Sequence, residues 1–456
     1  MPPMKETSAE APLYLKRLVV ENWRCFGKAE IDFMRGSRHR PHTILVGRNG
    51  SGKTSVLRAI ALGLAQQREA SALMGELAGD FVRRNKQGRF ADQATIALDF
   101  HDPEARTRTY RTITTIRRDS SGQETVEKTL EPARFPWQRI FVGGYGVNRG
   151  ARHRESRSSY QRLAALRSLF SDDTPLLDPE ATLRAIKLAA LEERGRSRAS
   201  KGPNVLDKTL SQLRALLQLA PAHKIEISPT RVLVHGPWGA MPFHALGDGY
   251  RGTAGWVLDM LGMALATGTL ANVKDVRGIV LIDEIDEHLH PSWQKKLLSQ
   301  LASRFRNLQI VGTTHSPMTL VDCAPDELVA CELVNAVARL HTDLGGPSGR
   351  TADEILRGEW FGLSSTLDTR TEKLLGEYQA AVESKKSEKK LEELRRRLRE
   401  RLGRRFDSPL DELALQIAAE VRQQYRDAVS AEERRRLVAE AAQRLREQAA
   451  AGGIPT

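Results

Sequence analysis

The stretch HTILVGRNGSGKTSVLRAIALGL, residues 42–64, constrains this chain more than any other. An apolar strand, Thr43 to Val46, runs into Gly47, four residues, then Gly52, Lys53 and Thr54, and the helix opening there carries Val56, Leu57, Ile60 and Leu64 at helical spacing. Glycines at this spacing let the backbone close on phosphate oxygens with its amides inward, and the helix start adds the positive end of its dipole. Gly47, Asn49, Gly50, Ser51, Gly52, Lys53, Thr54 and Ser55 are therefore the expected nucleotide-binding set. Lys53 is expected on the β and γ phosphates, and Thr54 on Mg²⁺. A loop of this kind implies an α/β fold and a nucleotide, and leaves the reaction open, because kinases, GTPases and motors share it.

Two later strands supply the chemistry such a loop lacks. In RGIVLIDEIDEHLHPSWQ the apolar run Ile279 to Ile282 reads as a buried parallel strand that presents Asp283 and Glu284 at its carboxyl end. Ligands of parallel sheets collect beyond those ends, so Asp283 is expected at Mg²⁺ and Glu284 beside the attacking water, which favours hydrolysis over transfer. In NLQIVGTTHSP a third strand ends in Thr313, Thr314 and His315, and His315 is placed to donate to the γ-phosphate. Lys53, Glu284 and His315 are the expected catalytic residues.

Between these segments, HALGDGYRGTAGW puts Gly247, Asp248 and Gly249 in front of a helix. The order of phosphate loop, glycine-containing helix start, strand with two acids and strand with histidine resembles the ABC-type ATPases. In that class the helix start, the signature, contacts ATP held by the opposite subunit, so the resemblance implies ATP and Mg²⁺ as ligands and a homodimer or higher homo-oligomer. Gly247 stands where transporters carry serine, and Tyr250 and Arg251 stand where a glutamine is usual. Asp248 and Arg251, the segment LYLKRLVVENWRCFGKAEIDF and the segment DEIDEHLHPSWQ resemble the RecF, Rad50, SMC and OLD side of the class. In that setting His288 and His290 fit a loop at the subunit interface better than a zinc site. No glutamine is assignable to the metal-contacting loop many ABC proteins use.

The implied architecture is a P-loop ABC-type head over 1–368: a β-rich part about 94–148, a helical insertion about 150–220, and the signature with the second nucleotide half at 224–340. In the insertion, Leu183, Ile186, Leu188 and Leu191, then Leu206, Leu210, Leu213 and Leu217, mark two helices too short for a Rad50 or SMC arm. A charged helical domain is expected over 369–456, with Leu391, Leu394, Leu398 and Leu402, then Leu413, Ile417, Val421 and Tyr425, then Leu437, Ala441 and Leu445. Gly403 and Pro409 interrupt it. Its apolar stripe fits packing within a helical hairpin, or a surface for self-assembly or for binding a second protein. The tail shows neither the apolar strands of a Toprim nuclease nor an HNH-like histidine set, so cleavage of nucleic acid would fall to another polypeptide.

Charge bears on partners. The formal net charge of +13 favours polyanions. Arg149, Arg152, Arg154, Arg157, Arg162 and Arg167 against one acid, Glu155, could line a track for double-stranded DNA or form a solvated basic face. No run approaches the roughly 18 apolar residues of a membrane helix, and the start MPPMKETSAEAP has no signal-peptide core, so no membrane partner and a cytoplasmic location are expected. Cys25, Cys323 and Cys331 lack metal-ligand spacing.

Segments such as LGDGYR, IDEIDEHLHP and ILRGEWFGLSSTLD are similar to ATPase subunits of bacterial anti-phage systems such as Septu and PARIS. That resemblance implies a sensor or regulatory subunit that controls a separate nuclease or toxin. A RecF-like DNA repair ATPase and a slow, nucleotide-locked scaffold are the alternatives.

Overall fold

A six-stranded sheet carries the nucleotide motifs. In the computed structural model its order is Val337–His341, Leu328–Val334, His42–Val46, Leu308–Thr313, Gly278–Ile282 and Val142–Tyr145. All neighbours pair in parallel except the hairpin that ends in Val337–His341. The three central strands are buried at every position. Strands covered on both faces read as unbroken apolar runs, which is why their sequences do not alternate. The register sets Ile282 beside Gly312 and Thr313 beside Leu45, so the loops after all three strands leave from one edge.

The structure describes residues 11–77, 79–105, 108–149, 153–154, 160–196, 205–220, 222–267, 276–342, 344–363, 365–384, 386–402, 431–451 and the single residues 414, 417, 421 and 424.

A five-stranded antiparallel sheet lies over the phosphate-loop helix, in the order Phe26–Asp32, Tyr14–Trp23, Gln93–His101, Tyr110–Arg118, Glu124–Glu131. The turn at Ser120–Gly122 is closed by the Asp119 carboxylate, which accepts from the amides of Ser121 and Gln123, each at 2.9 Å. Helix Lys53–Leu64 is sandwiched, with Leu57 and Ile60 in one core with Leu18, Ile96 and Leu98 of this sheet and Leu281 and Val311 of the other. The antiparallel sheet also caps the helix: Lys128 Nζ donates to the carbonyls of Leu62 (2.6 Å) and Gly63 (2.9 Å), and Thr112 Oγ1 to that of Gly63 (3.0 Å). The Leu62 carbonyl also accepts from the Ala65 amide at 3.3 Å, and side chains from the sheet complete the bonding of carbonyls that lose their i+4 partners at the helix end.

The insertion contains helices Pro179–Arg196 and Val205–Leu216. Leu183 and Ile186 are buried, but Leu188 and Leu191 are 59% and 54% exposed, so the apolar spacing overstated the buried face. A three-stranded antiparallel sheet, Lys224–Ile227, Val232–Gly236 and Gly239–Pro242, was not evident from the sequence. It delivers the chain to helix Asp248–Ala266. Among the described residues no helix is long and apolar enough to cross a membrane.

The chain divides into units Met1–Gly349 and Arg350–Thr456, so the division falls before residue 350 and not after the expected 368. Local chemistry explains the difference. Thr351 and Glu354 form a capping box that starts helix Ala352–Arg357. Glu359 pairs with Arg435 of helix Ala431–Ala451, and Asp368 caps helix Thr369–Glu383 and meets Arg401 at 3.1 Å, which ties 350–368 to the later helices. Helices Thr369–Glu383 and Glu388–Leu402 bury Leu374, Tyr378 and Ala381 against Leu394 and Leu398. This part of the leucine stripe is hairpin packing. Leu413, Tyr425, Gly403 and Pro409 lie outside the described residues.

Candidate nucleotide site

The phosphate loop is built on backbone torsions only glycine adopts easily. Gly47, Gly50 and Gly52 have φ of 138°, 76° and 100°. At Gly47 the space is closed as well: a Cβ would sit 2.1 Å from the carbonyl oxygen of Cys331 on the neighbouring strand. The loop therefore bends back over the sheet edge. Lys53 Nζ folds under it and donates to the carbonyls of Gly47 (2.9 Å) and Arg48 (3.0 Å). Burial pulls its pKa below the usual lysine value, while the Asp283 and Glu284 carboxylates oppose that shift. Trp23 Nε1 holds the helix start through the Ser55 carbonyl at 2.8 Å. The hydroxyl of Ser51 is buried and has no hydrogen-bond partner among the described residues.

The acid pair meets this loop. Asp283 Oδ2 accepts from Thr54 Oγ1 at 2.8 Å and Oδ1 accepts from Thr313 Oγ1 at 2.6 Å. Thr313 Oγ1 in turn accepts from the Glu284 amide at 2.8 Å, and the Thr313 carbonyl takes the Ile285 amide at 2.9 Å. Glu284 sits in a left-handed conformation, φ 47°, which turns the chain sharply after the strand. The Thr313 hydroxyl, at the end of its strand, is the hinge between the acid pair and the histidine strand. His315 follows two residues on, and burial, reinforced by Lys53, holds its pKa below the usual histidine value. Its ring is therefore neutral at pH 7 and keeps one N–H to donate.

Three further polar residues support this site: Asp286 and Asp259, to which the sequence gives no role, and Arg149, expected to approach nucleotide or DNA. Asp286 is buried and accepts from Thr314 Oγ1 at 2.6 Å and from Thr319 Oγ1. Asp259, in the middle of helix Asp248–Ala266, accepts from Tyr145 Oη at 3.1 Å and from the Leu177 amide at 2.7 Å. The Tyr145 carbonyl accepts the Asp283 amide at 2.8 Å, so the helix is tied to the acid-pair strand. Arg149 donates to the carbonyls of both Asp283 and Glu284.

Gly247 is the N-cap of helix Asp248–Ala266, and Asp248 lies in its first turn and pairs with Arg251. Gly249 packs on the loop after the acid pair, where a Cβ would be 2.7 Å from the His288 carbonyl oxygen. Tyr250 lies 5.2 Å, ring to ring, from Trp293 of the helix that follows that loop. His290 caps this helix, accepting from the Ser292 amide. Among the described residues no group of three or more His, Cys, Asp or Glu could hold a metal. Of the basic stretch, Arg162 is spent on the carbonyls of Trp137 and Ile140, at 2.7 and 3.1 Å, and Arg167 pairs with Glu76 at 2.7 Å. Arg152 and Arg157 lie outside the described residues, as does the side chain of Arg154.

The donor set suits a hard cation that completes its shell with phosphate oxygens: one hydroxyl, Thr54, and one carboxylate, Asp283, within 2.8 Å of each other. The buried hydroxyl of Ser51 and the glycine torsions of the loop suit a bound phosphate chain.

Comparison with known proteins gives the family. Residues 43–322 match the family model described as "AAA domain, putative AbiEii toxin, Type IV TA system". The Septu protein PtuA of Bacillus mycoides (strain KBAB4) is 23% identical over 367 residues, 78% of this chain and 45% of the relative. The OLD nuclease of Thermus scotoductus (strain ATCC 700910 / SA-01) is 26% identical over 339 residues, 67% of this chain and 59% of the relative. The chain thus spans less than two thirds of the length of each. Among solved structures, an SmcHead bound to the C-winged helix domain of ScpA aligns at 17% identity and TM-score 0.44, over 72% of this chain and 97% of that one. The matched family span contains the phosphate loop, helix Asp248–Ala266, the acid pair and His315, and the chain belongs to this AAA family, with the motif order of an ABC-type ATPase.

Proposed function

We propose that the chain hydrolyses ATP at a site that closes between two copies, and that its nucleotide state controls a separate effector, a nuclease or toxin, in an anti-phage defence system. The observation that carries the ATPase reading is the Asp283 carboxylate bridging Thr54 of the phosphate loop and Thr313 of the histidine strand, with Glu284 next in sequence. In this reading the loop amides and Lys53 bind the β and γ phosphates, Lys53 leaving the Gly47 and Arg48 carbonyls to do so. Thr54 and Asp283 would hold Mg²⁺, whose charge offsets that developing on the transferred phosphate. Glu284 orients and deprotonates the attacking water, and neutral His315 donates to the γ-phosphate oxygens. Gly247, Asp248 and Gly249 of the second copy close over the phosphate. The similarity to the Septu protein PtuA supports the defence role.

The test is steady-state ATP turnover and solution mass of wild type and Glu284→Gln, each with and without linear double-stranded DNA. Loss of a general base costs about 10²–10⁴-fold in rate, and Glu284→Gln should accumulate an ATP-dependent dimer or larger assembly. Equal turnover and equal mass would remove Glu284 from the mechanism. Strong stimulation by DNA would favour a RecF-like repair enzyme over control by a protein effector.

A further inference from the structure

Glu284 is held from two sides, and only one of them is part of the motif. Its amide and that of Ile285 are fixed by Thr313, at 2.8 and 2.9 Å, on the strand to one side. Its carbonyl, and that of Asp283, are fixed by Arg149, in the turn that follows the strand on the other side, since Val142–Tyr145 pairs directly with Gly278–Ile282. The segment so gripped is the least relaxed in the site: Glu284 has φ 47° and His288 φ 61°, a region that side-chain-bearing residues visit rarely. The arginine is also placed among acids. Burial lowers its pKa, while the carboxylates of Glu287, Asp283, Asp286 and Glu284 oppose that shift. Glu287 moves the other way, raised by burial against the pull of Arg149.

We propose that Arg149 is a positioning residue that clamps the main chain of the acid pair and so aims the Glu284 carboxylate at the attacking water. The fork geometry matters: a guanidinium donates to two successive carbonyls from one plane, whereas an ammonium is a single point. Arg149 acts through backbone, so nucleotide affinity should not depend on it. This inference rests on the reading of Glu284 as the base.

The experiment compares the full chain with Arg149→Ala, Arg149→Lys and Glu284→Gln, measuring kcat, KM for ATP, binding of a fluorescent ATP analogue, and amide hydrogen exchange over 284–289. For Arg149→Ala a misplaced base should lower kcat by about 10- to 100-fold with KM and analogue affinity within about 3-fold. Exchange at Ile285, Glu287 and Leu289 should quicken. Millimolar guanidinium should restore part of the turnover of Arg149→Ala and none of that of Glu284→Gln. Arg149→Lys should fold as wild type and keep the kcat defect, which separates positioning from folding. Unchanged kcat, or lost ATP affinity with kcat intact, overturns the proposal, the latter by making Arg149 a nucleotide ligand. If wild type itself does not hydrolyse ATP, the ATPase reading fails, and exchange still decides the clamp: unaltered protection in Arg149→Ala overturns it.

Discussion

Thr54 Oγ1 donates to Asp283 Oδ2 across 2.8 Å, although the two residues are 229 positions apart in the chain. The bond joins the first turn of the phosphate-loop helix to the end of the acid-pair strand. Asp283 is 6% exposed, so its oxygens depend on protein donors.

Thr54→Val keeps the shape of the side chain and deletes this donor. One buried carboxylate oxygen then lacks its partner, which should lower stability by about 1–3 kcal/mol. If Thr54 also binds Mg²⁺, the variant should need more of it for half-maximal ATP turnover. A denaturant titration and a Mg²⁺ titration check the two effects separately, and an unchanged Mg²⁺ requirement would take Thr54 out of the metal site.

Glycines of helix Asp248–Ala266 should respond oppositely to the same substitution. In a helix interior alanine is favoured over glycine by about 1 kcal/mol. A Cβ at Gly255 meets nothing within 4 Å, so Gly255→Ala should stabilise the protein. At Gly249 the Cβ would be 2.7 Å from the His288 carbonyl, a backbone atom that cannot swing aside, so Gly249→Ala should destabilise by about 1–3 kcal/mol despite better propensity. Urea midpoints of both variants decide it, and a stabilising Gly249→Ala would mean that the His288 loop yields readily.

Lys128 makes stability depend on pH. Burial pushes its pKa down from 10.5 to about 7, with Glu69 opposing the shift and Arg162 adding to it. The folded state therefore binds fewer protons than the unfolded chain between about pH 7 and 10.5. Stability from this group consequently rises with pH across that window and is lowest below it. Lys128→Met removes the titration, so wild type should gain on the variant as pH is raised from 7 to 9. Midpoints that shift in parallel would show that Lys128 titrates normally.

What could be read from the sequence was local. The loop Gly47–Ser55, the pair Asp283 and Glu284, and His315 each follow an apolar strand within a few residues, and backbone torsion and strand burial are legible at that range. Supporting residues were harder to read. Asp259 stands out as an acid inside WVLDMLGM, a hint of a buried partner, but nothing near it names Tyr145, 114 positions away. The arginine-rich stretch looked uniform, yet Arg149 and Arg162 turn inward to main-chain carbonyls.

The sequence by itself determined which segments become strand, loop and helix at the site, and which side chains stand at their ends. Tertiary structure decided what those side chains meet. The sheet sets the strand before Arg149 beside the strand before Asp283, and the histidine strand on the other side, an order that is not the chain order. Thr313 and Arg149 grip Glu284 because hydrogen bonds form between neighbours in space, and adjacency in a parallel sheet is fixed by packing of crossover connections, which no local spacing records.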